Sequence, residues 1–229
     1  MPTSTSVQPV SAVPQPKSRR RRHTLLIRGA AAALAVGAVA ATVWLGSSTE
    51  TRTASYAGVE SIVIDLGAGG ITLTGTAGQD VAVRTTLHSF LSRDPVYAQS
   101  VTDGVLTITG SCPPPSINCG VDEELTVPAG VSVTVRMSAG EIHATGLDVP
   151  RFQAAIGAGR IEAAFVRPPD LVDINTETGE VTATVPDVGY RIDAVANTGT
   201  TDIDLLQDHD ANRSLRVRAG TGSVTLDGI

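Results

Sequence analysis

Residues 138–185 read SAGEIHATGLDVPRFQAAIGAGRIEAAFVRPPDLVDINTETGEVTATV. Within this stretch Gly140, Gly159 and Gly179 each follow Ala or Thr and stand two residues before Ile or Val. The glycines are 19 and 20 residues apart, and Gly199 follows after another 20. A constant period near 20 residues is typical of architectures in which short repeats stack on one another. The period therefore predicts a repeat fold.

Apolar and polar residues alternate on both sides of each glycine, as in Phe152/Ala154/Ile156 and Ile161/Ala163. Alternation at period two predicts β-strands with one buried face, so each repeat should contribute two short strands. We therefore predict an all-β fold, a β-solenoid of stacked repeats of about 20 residues, with a β-sandwich as the alternative. The glycines should provide the turns, because glycine adopts positive φ without steric cost. The predicted turn glycines are Gly70, Gly140, Gly159, Gly179, Gly199 and Gly222.

The stretch Leu125-Thr126-Val127-Pro128-Ala129-Gly130-Val131, followed by Ser138-Ala139-Gly140-Glu141-Ile142 and the repeated glycine turns, resembles the bacterial putative-adhesin domain family. The resemblance covers most of residues 60–229 and is clearest over 121–206. It implies a β-strand-repeat domain of the kind found in exported and membrane-anchored proteins. It brings no catalytic residue with it, because the shared motif consists of structural turns.

Charge is distributed unevenly along the chain. Of the 17 basic residues, six lie before residue 29, where there is no acidic residue, which leaves 11 basic against 23 acidic residues in the remainder. An acidic main body argues against nucleic acid as a partner.

The basic start precedes an apolar segment, and Gly29–Gly46 contains no charged residue. Extended to 24–46, a helix of about 1.5 Å per residue would span roughly 35 Å, which matches a bilayer core. We predict a disordered cytoplasmic tail at 1–23, a transmembrane signal anchor at 24–46, a linker at 47–57 and an extracytoplasmic β-repeat domain at 58–229. The alternatives are a cleaved signal peptide, since Ala38-Val39-Ala40 has the form of a cleavage site, and a buried soluble helix.

Cys112 and Cys119 are the two cysteines of the chain, and six residues separate them. In an exported domain this spacing favours a disulfide across a hairpin tip. Free thiols and a metal site are the alternatives, and no nearby histidine or second cysteine pair supports the metal site.

Four other groups of residues carry side chains of the kind that bind metals or catalyse reactions. Asp208-His209-Asp210-Ala211-Asn212 begins like a calcium loop, but Arg213 stands where the turn glycine is needed and Ala219 where the bidentate glutamate is needed. Asp122-Glu123-Glu124 and the pair Asp202/Asp204 offer carboxylates for glycoside chemistry, and Glu141 and His143 share one strand face. An enlarged turn of the solenoid explains Asp208–Asn212, and solvated strand faces and turns explain the others, so we predict no catalytic residue, no metal and no cofactor.

The function that the sequence favours is a membrane-anchored, non-catalytic binding module on the outside of a bacterial cell. Its expected partners are the membrane, through one helix, and an unidentified envelope protein or polysaccharide. The alternatives are an envelope enzyme that acts on glycans and a sensor or regulatory ectodomain.

Overall fold

The structure, a computed structural model, describes residues 40–44, 47–90, 94–114 and 118–229. These residues form twelve β-strands, and none of them belongs to a helix long and apolar enough to cross a bilayer. The predicted all-β class is thus confirmed for this part of the chain. In chain order the strands are β1 Ala40–Trp44, β2 Ser47–Tyr56, β3 Ser61–Thr76, β4 Val81–Phe90, β5 Val96–Thr102, β6 Val105–Ser111, β7 Gly120–Pro128, β8 Ser132–Leu147, β9 Arg151–Phe165, β10 Leu171–Val185, β11 Arg191–Asp204 and β12 Ser214–Gly228.

Six long parallel strands build the main part of the molecule, in the spatial order β3-β8-β9-β10-β12-β11. We call each of these strands a rung. Their register aligns one glycine of every rung with a glycine of the next, with φ between +137° and +148°. This region of backbone space is accessible almost only to glycine. We call the set the glycine column; its members are Gly69, Gly140, Gly159, Gly179, Gly222 and Gly199.

Each rung bends near its glycine, as β9 shows. Its first arm buries the even-numbered residues 152, 154 and 156, and its second arm buries the odd-numbered residues 161, 163 and 165. The alternation changes phase at the bend, so both arms turn their apolar side chains to the same interior. Phe152 and Phe165, at opposite ends of β9, meet edge to face with ring centroids 5.6 Å apart. The two arms of one rung therefore pack against each other.

The interior consists mainly of Val, Ile, Leu and Ala, which suit a narrow space between two sheets. Tyr190 is an exception: its ring is fully buried and its hydroxyl donates a hydrogen bond of 2.9 Å to the carbonyl of Pro186. Burial raises the pKa of this phenol to about 12, so the hydroxyl remains a neutral donor at physiological pH.

The remaining strands lie on the side of β3 that faces away from β8. β6 pairs with the first arm of β3 and β7 pairs with its second arm, both in parallel. β7 continues into the antiparallel series β4, β2 and β1, while β5 and β6 form a hairpin. The first rung of the stack is therefore covered along both arms.

The structure differs from two predictions and has one feature that was not predicted, the order of the last rungs. The segment 47–57, predicted as a linker, contains β2, because its polar residues pair along their full length with β4. Gly69 rather than Gly70 occupies the glycine column, since Gly70 is in register with Glu141. The rungs also do not follow chain order at the end: β12 lies between β10 and β11, where the interval between successive glycines lengthens from 20 to 23 residues.

Of the predicted transmembrane segment 24–46, the structure describes Ala40–Trp44, which form β1 and pair antiparallel with β2. The rest of that segment and the predicted tail at 1–23 lie outside the described residues.

Candidate functional site

The predicted disulfide is present. Cys112 and Cys119 are bonded with a Cα–Cα distance of 5.9 Å, and they link the end of β6 to the start of β7. Both strands lie against β3, so the bond closes the loop beside the first rung. The disulfide thus stabilises a loop, and no free thiol remains among the described residues.

The acidic run at the start of β7 is divided between two faces of the sheet. Asp122 accepts hydrogen bonds from the Gly70 amide (2.7 Å) and pairs with His88 Nε2 (2.8 Å), and Glu124 lies 3.7 Å from Arg84. Glu123 points to the other side and is 1% exposed. The run therefore does not form a pair of facing carboxylates, which glycoside hydrolysis requires.

Glu123 lies in a buried polar cluster between β4, β5 and β7. Thr85 Oγ1 donates a hydrogen bond of 3.0 Å to Glu123 Oε2 and lies 2.6 Å from the hydroxyl of Tyr97. Gln99 bonds both Thr85 and Tyr97, and Tyr56 donates to Gln99 Oε1 at 2.6 Å. The second carboxylate oxygen, Oε1, has no hydrogen-bond partner among the described residues.

Burial raises the pKa of Glu123 to about 7, against the lowering effect of the hydrogen bonds from Tyr97 and Thr85, and the nearby Asp122 adds to the rise. Burial and the charge of Glu123 also raise the pKa of Tyr97. The Glu123 carboxyl is therefore about half protonated near neutral pH, and in its protonated form it carries no buried negative charge. In the sequence Glu123 stands between two other acidic residues, Asp122 and Glu124, and shares their predicted exposure. The signal was its place in the alternation Val121-Glu123-Leu125, where a buried side chain is expected.

The other residues considered for chemistry are placed on the surface. Asp208 accepts a hydrogen bond of 2.9 Å from the Asp210 amide, which closes the turn between β11 and β12. Asp202 and Asp204 are exposed on β11, and His143 Nδ1 lies 3.0 Å from Glu162 on the next rung. Within the described ranges no three His, Cys, Asp or Glu side chains are grouped so as to hold a metal ion.

A shallow groove of about 760 Å³ follows the glycine column on the outside of the bend. Its floor is formed by the glycines of the column, each of which lies close to the backbone of the next rung. Arg160 Nε and Glu180 Oε2, 3.2 Å apart, cross the groove as an exposed ion pair, and Glu141 lies beside them. The charges at this groove are thus partly neutralised by one another.

A second depression lies on the outer face of the first arms of β8, β9 and β10. Its floor is formed by Ala155 and Gly157 of the middle rung, and in register with Ala155 stand Arg136 on one side and Asn175 on the other. Small residues between two rows of long ones produce the concavity, which consists of two adjoining spaces of about 450 and 240 Å³. We call it the trough; its polar lining includes Thr134, Arg136, Gln153, Asp173, Asn175 and Glu177.

The trough offers unpaired polar groups. Arg136 is exposed and forms no ion pair with any residue that the structure describes, unlike Arg160. Guanidinium, amide and carboxylate groups together can donate to and accept from a polar ligand that spans three rungs.

The fold is similar to that of a putative cell adhesion protein from Clostridium sporogenes ATCC 15579, with a TM-score of 0.60 and 15% identity over 79% of this chain and 100% of that chain. A putative adhesin from Bacteroides fragilis NCTC 9343 aligns at 12% identity over 79% of this chain and 97% of its own, with a TM-score of 0.31. No family model and no curated protein matches the chain. At 15% identity the likeness to the Clostridium protein is one of fold.

Proposed function

We propose that residues 58–229, together with β2, form a non-catalytic binding module of the adhesin-like type, built as a solenoid and displayed outside a bacterial cell. The fold shared with a putative cell adhesion protein supports this proposal. So does the resemblance of the repeated turns to the putative-adhesin family. The partner would be a polar component of the envelope, either protein or polysaccharide.

The observation that carries the proposal is the trough. It is open to solvent, it extends across three rungs, and its lining combines apolar surface with polar side chains from all three rungs, among them an arginine without an ion pair. Repeat stacks characteristically bind through such extended faces, where successive rungs present side chains at a constant spacing of about 4.8 Å.

A glycan-acting enzyme is the second candidate, because Glu123 has the raised pKa of a general acid. Its carboxyl, however, is covered on all sides and its neighbours Asp122 and Glu124 face the other way. The two candidates differ in what Glu123→Gln should do: it would abolish hydrolysis of envelope glycans by an enzyme, and it should leave binding by an adhesin-like module unchanged.

We also propose attachment to the membrane through residues 24–46, with the N-terminus in the cytoplasm. The charge asymmetry of the sequence supports this. β1 uses residues 40–44 of the same segment, so those residues cannot belong to both a helix and a strand. The mature N-terminus in membrane fractions distinguishes the arrangements: an intact residue 1 supports the anchor, whereas a start near Ala41 would show cleavage and overturn it.

Binding is tested with the full chain and isolated envelopes. Saturable co-sedimentation, with no release of reducing sugar over the same period, is the expected result. Envelopes treated beforehand with protease distinguish a protein partner from a polysaccharide. Release of sugar that disappears in Glu123→Gln would instead establish the enzyme.

A further inference from the structure

The stack of rungs ends at β11. One side of this strand pairs with β12, and the other side pairs with no strand among the described residues. Over Arg191–Asp204 the outer backbone amides and carbonyls pair with no described strand, and one of these residues, Ala196, donates its amide to Thr201 Oγ1 of the same strand at 3.0 Å, a bond that a further strand would replace. An unpaired edge of this length is a template for pairing with another chain.

The side chains of β11 that point to the interior are only half covered. Ile203 is 42% exposed, whereas its neighbour in register, Leu226 of β12, is fully buried. The other inward positions of β11 are in register with core residues in the same way. They are Ile192, Ala194, Ala196 and Thr201, opposite Leu215, Val217, Ala219 and Val224.

Natural proteins protect such edges with inward charges, with proline or with very short strands. β11 has none of these: its inward positions carry only aliphatic residues and one threonine, and it has 14 residues. Outside the strand, Leu206 (59% exposed) and Val188 (49%) extend the apolar surface of the same end. The apolar interior of the stack is therefore open at this end.

We propose that a second copy of this chain covers the edge, with the two β11 strands paired antiparallel across a two-fold axis. The first arm of β11 points its even-numbered residues inward and the second arm its odd-numbered residues. If the two-fold axis passes between Thr198 and Gly199, each inward residue with an even number in one copy lies opposite an inward residue with an odd number in the other copy. Ala194 then faces the partner's Ile203, and Ile192 faces the partner's Leu205.

This register also superimposes the bends, because the axis lies at the glycine of the column. Across the junction Ala194 packs against the larger Ile203, and Ile192 meets the apolar Leu205, so the interior continues from one copy into the other. In such a two-fold contact each copy offers the same β11 edge to the other, so no β11 edge is left for a third copy. The association therefore closes at two copies and does not extend into a fibre.

The size of the contact predicts a weak dimer. Seven residues per arm at 3.3 Å give a length of about 23 Å, and two sheets spaced by 10 Å are about 20 Å thick with their side chains, so two copies bury about 900 Å² in total. That is near the lower limit for specific association. Asp193 also faces the partner's Asp204, although Arg218 neutralises Asp193 within its own chain. The dimer should consequently tighten as salt increases.

The test is disulfide trapping between two single variants of the full chain, Ala194→Cys and Ile203→Cys, mixed and oxidised. Directly opposed residues of antiparallel strands lie about 4.5–5.5 Å apart between Cα atoms, within the range of a disulfide. The mixture should give a product of twice 23.5 kDa in at least about tenfold higher yield than either variant alone. The native cysteines do not interfere, since they are bonded to each other.

The control mixture combines Val195→Cys with Ile203→Cys. Because Val195 points outward from the same strand, this mixture should give little crosslinked product. Sedimentation of the unmodified chain should show dimer that increases with concentration and salt, and Ala194→Lys should abolish it. If Ala194→Lys does not fold, the trapping result decides alone. Equal yields of crosslinked product from all mixtures would overturn the proposal. So would a monomer whose β11 edge amides exchange slowly with solvent at every protein concentration, because another segment of the same chain would then cover the edge.

Discussion

Gly159→Ala should destabilise the fold strongly, because two independent effects act at this residue. Its φ of +144° is disfavoured for any residue with a Cβ, which costs about 1–3 kcal/mol. A Cβ at this position would also lie 1.7 Å from the carbonyl oxygen of Gly140 on the neighbouring rung. Relief requires backbone movement in a close-packed stack, for which overpacking data suggest a further 1–3 kcal/mol.

The sum, roughly 2–6 kcal/mol, corresponds to a Tm lowered by about 4–24 °C for a domain of this size. Two other glycines separate the two effects. Gly130 has φ +83° and no atom within 4 Å of an added Cβ, so Gly130→Ala should show the backbone cost alone. Gly78→Ala, which has neither problem, should change the free energy of unfolding by less than about 0.5 kcal/mol.

Urea unfolding followed by circular dichroism measures all three variants. We expect the order Gly78, Gly130, Gly159 from mildest to most severe. If Gly159→Ala and Gly130→Ala unfold at the same urea concentration, the carbonyl of Gly140 does not block the site and the in-register glycine column is wrong.

Two further predictions concern stability. Replacing Cys112 and Cys119 with Ser should lower the free energy of unfolding by about 2–3 kcal/mol, since the bond closes a short loop; thermal melts of the variant and of the reduced wild type should agree. Glu123 has a pKa of about 7 in the fold and near 4.5 in the unfolded chain. Between these values the folded state holds a proton that the unfolded state has lost, so stability should fall by roughly 2–3 kcal/mol as pH rises from 4.5 to 7 and change little from this group above that. Glu123→Gln should flatten that dependence, and an unchanged slope would refute the assignment.

The repeat architecture could be predicted from local sequence because the residues of each rung specify the strands and the bend of that rung. The alternation and the glycine of a single rung, such as β9, fix which side chains face inward and where the strand bends. The order of the rungs could not be predicted in the same way. Nothing within residues 191–228 reveals that β12 enters between β10 and β11, since both strands present the same pattern of inward residues to a neighbour.

Among the candidate sites, too, those formed by residues close in sequence could be predicted, and those formed by distant residues could not. The disulfide was predictable because its two cysteines are only seven positions apart in a domain expected in an oxidising compartment. The cluster around Glu123 unites β4, β5 and β7, whose separation in sequence conceals their contact. The trough depends on the register of three rungs, which places Arg136, Ala155 and Asn175 side by side although they are about 20 residues apart.

The central claim is that the domain acts by binding through the trough. The most direct test compares Arg136→Ala with Arg160→Ala in the envelope co-sedimentation assay, at concentrations around half-saturation. Both arginines are exposed, and the ion pair of Arg160 is of the surface kind that contributes little to stability, so both variants should remain folded. Because Arg136 supplies the unpaired cation of the trough, its loss should weaken binding by about tenfold, the effect of losing a charged hydrogen bond, while Arg160→Ala binds like the wild type. Equal binding by both variants, or a greater loss in Arg160→Ala, would contradict the account.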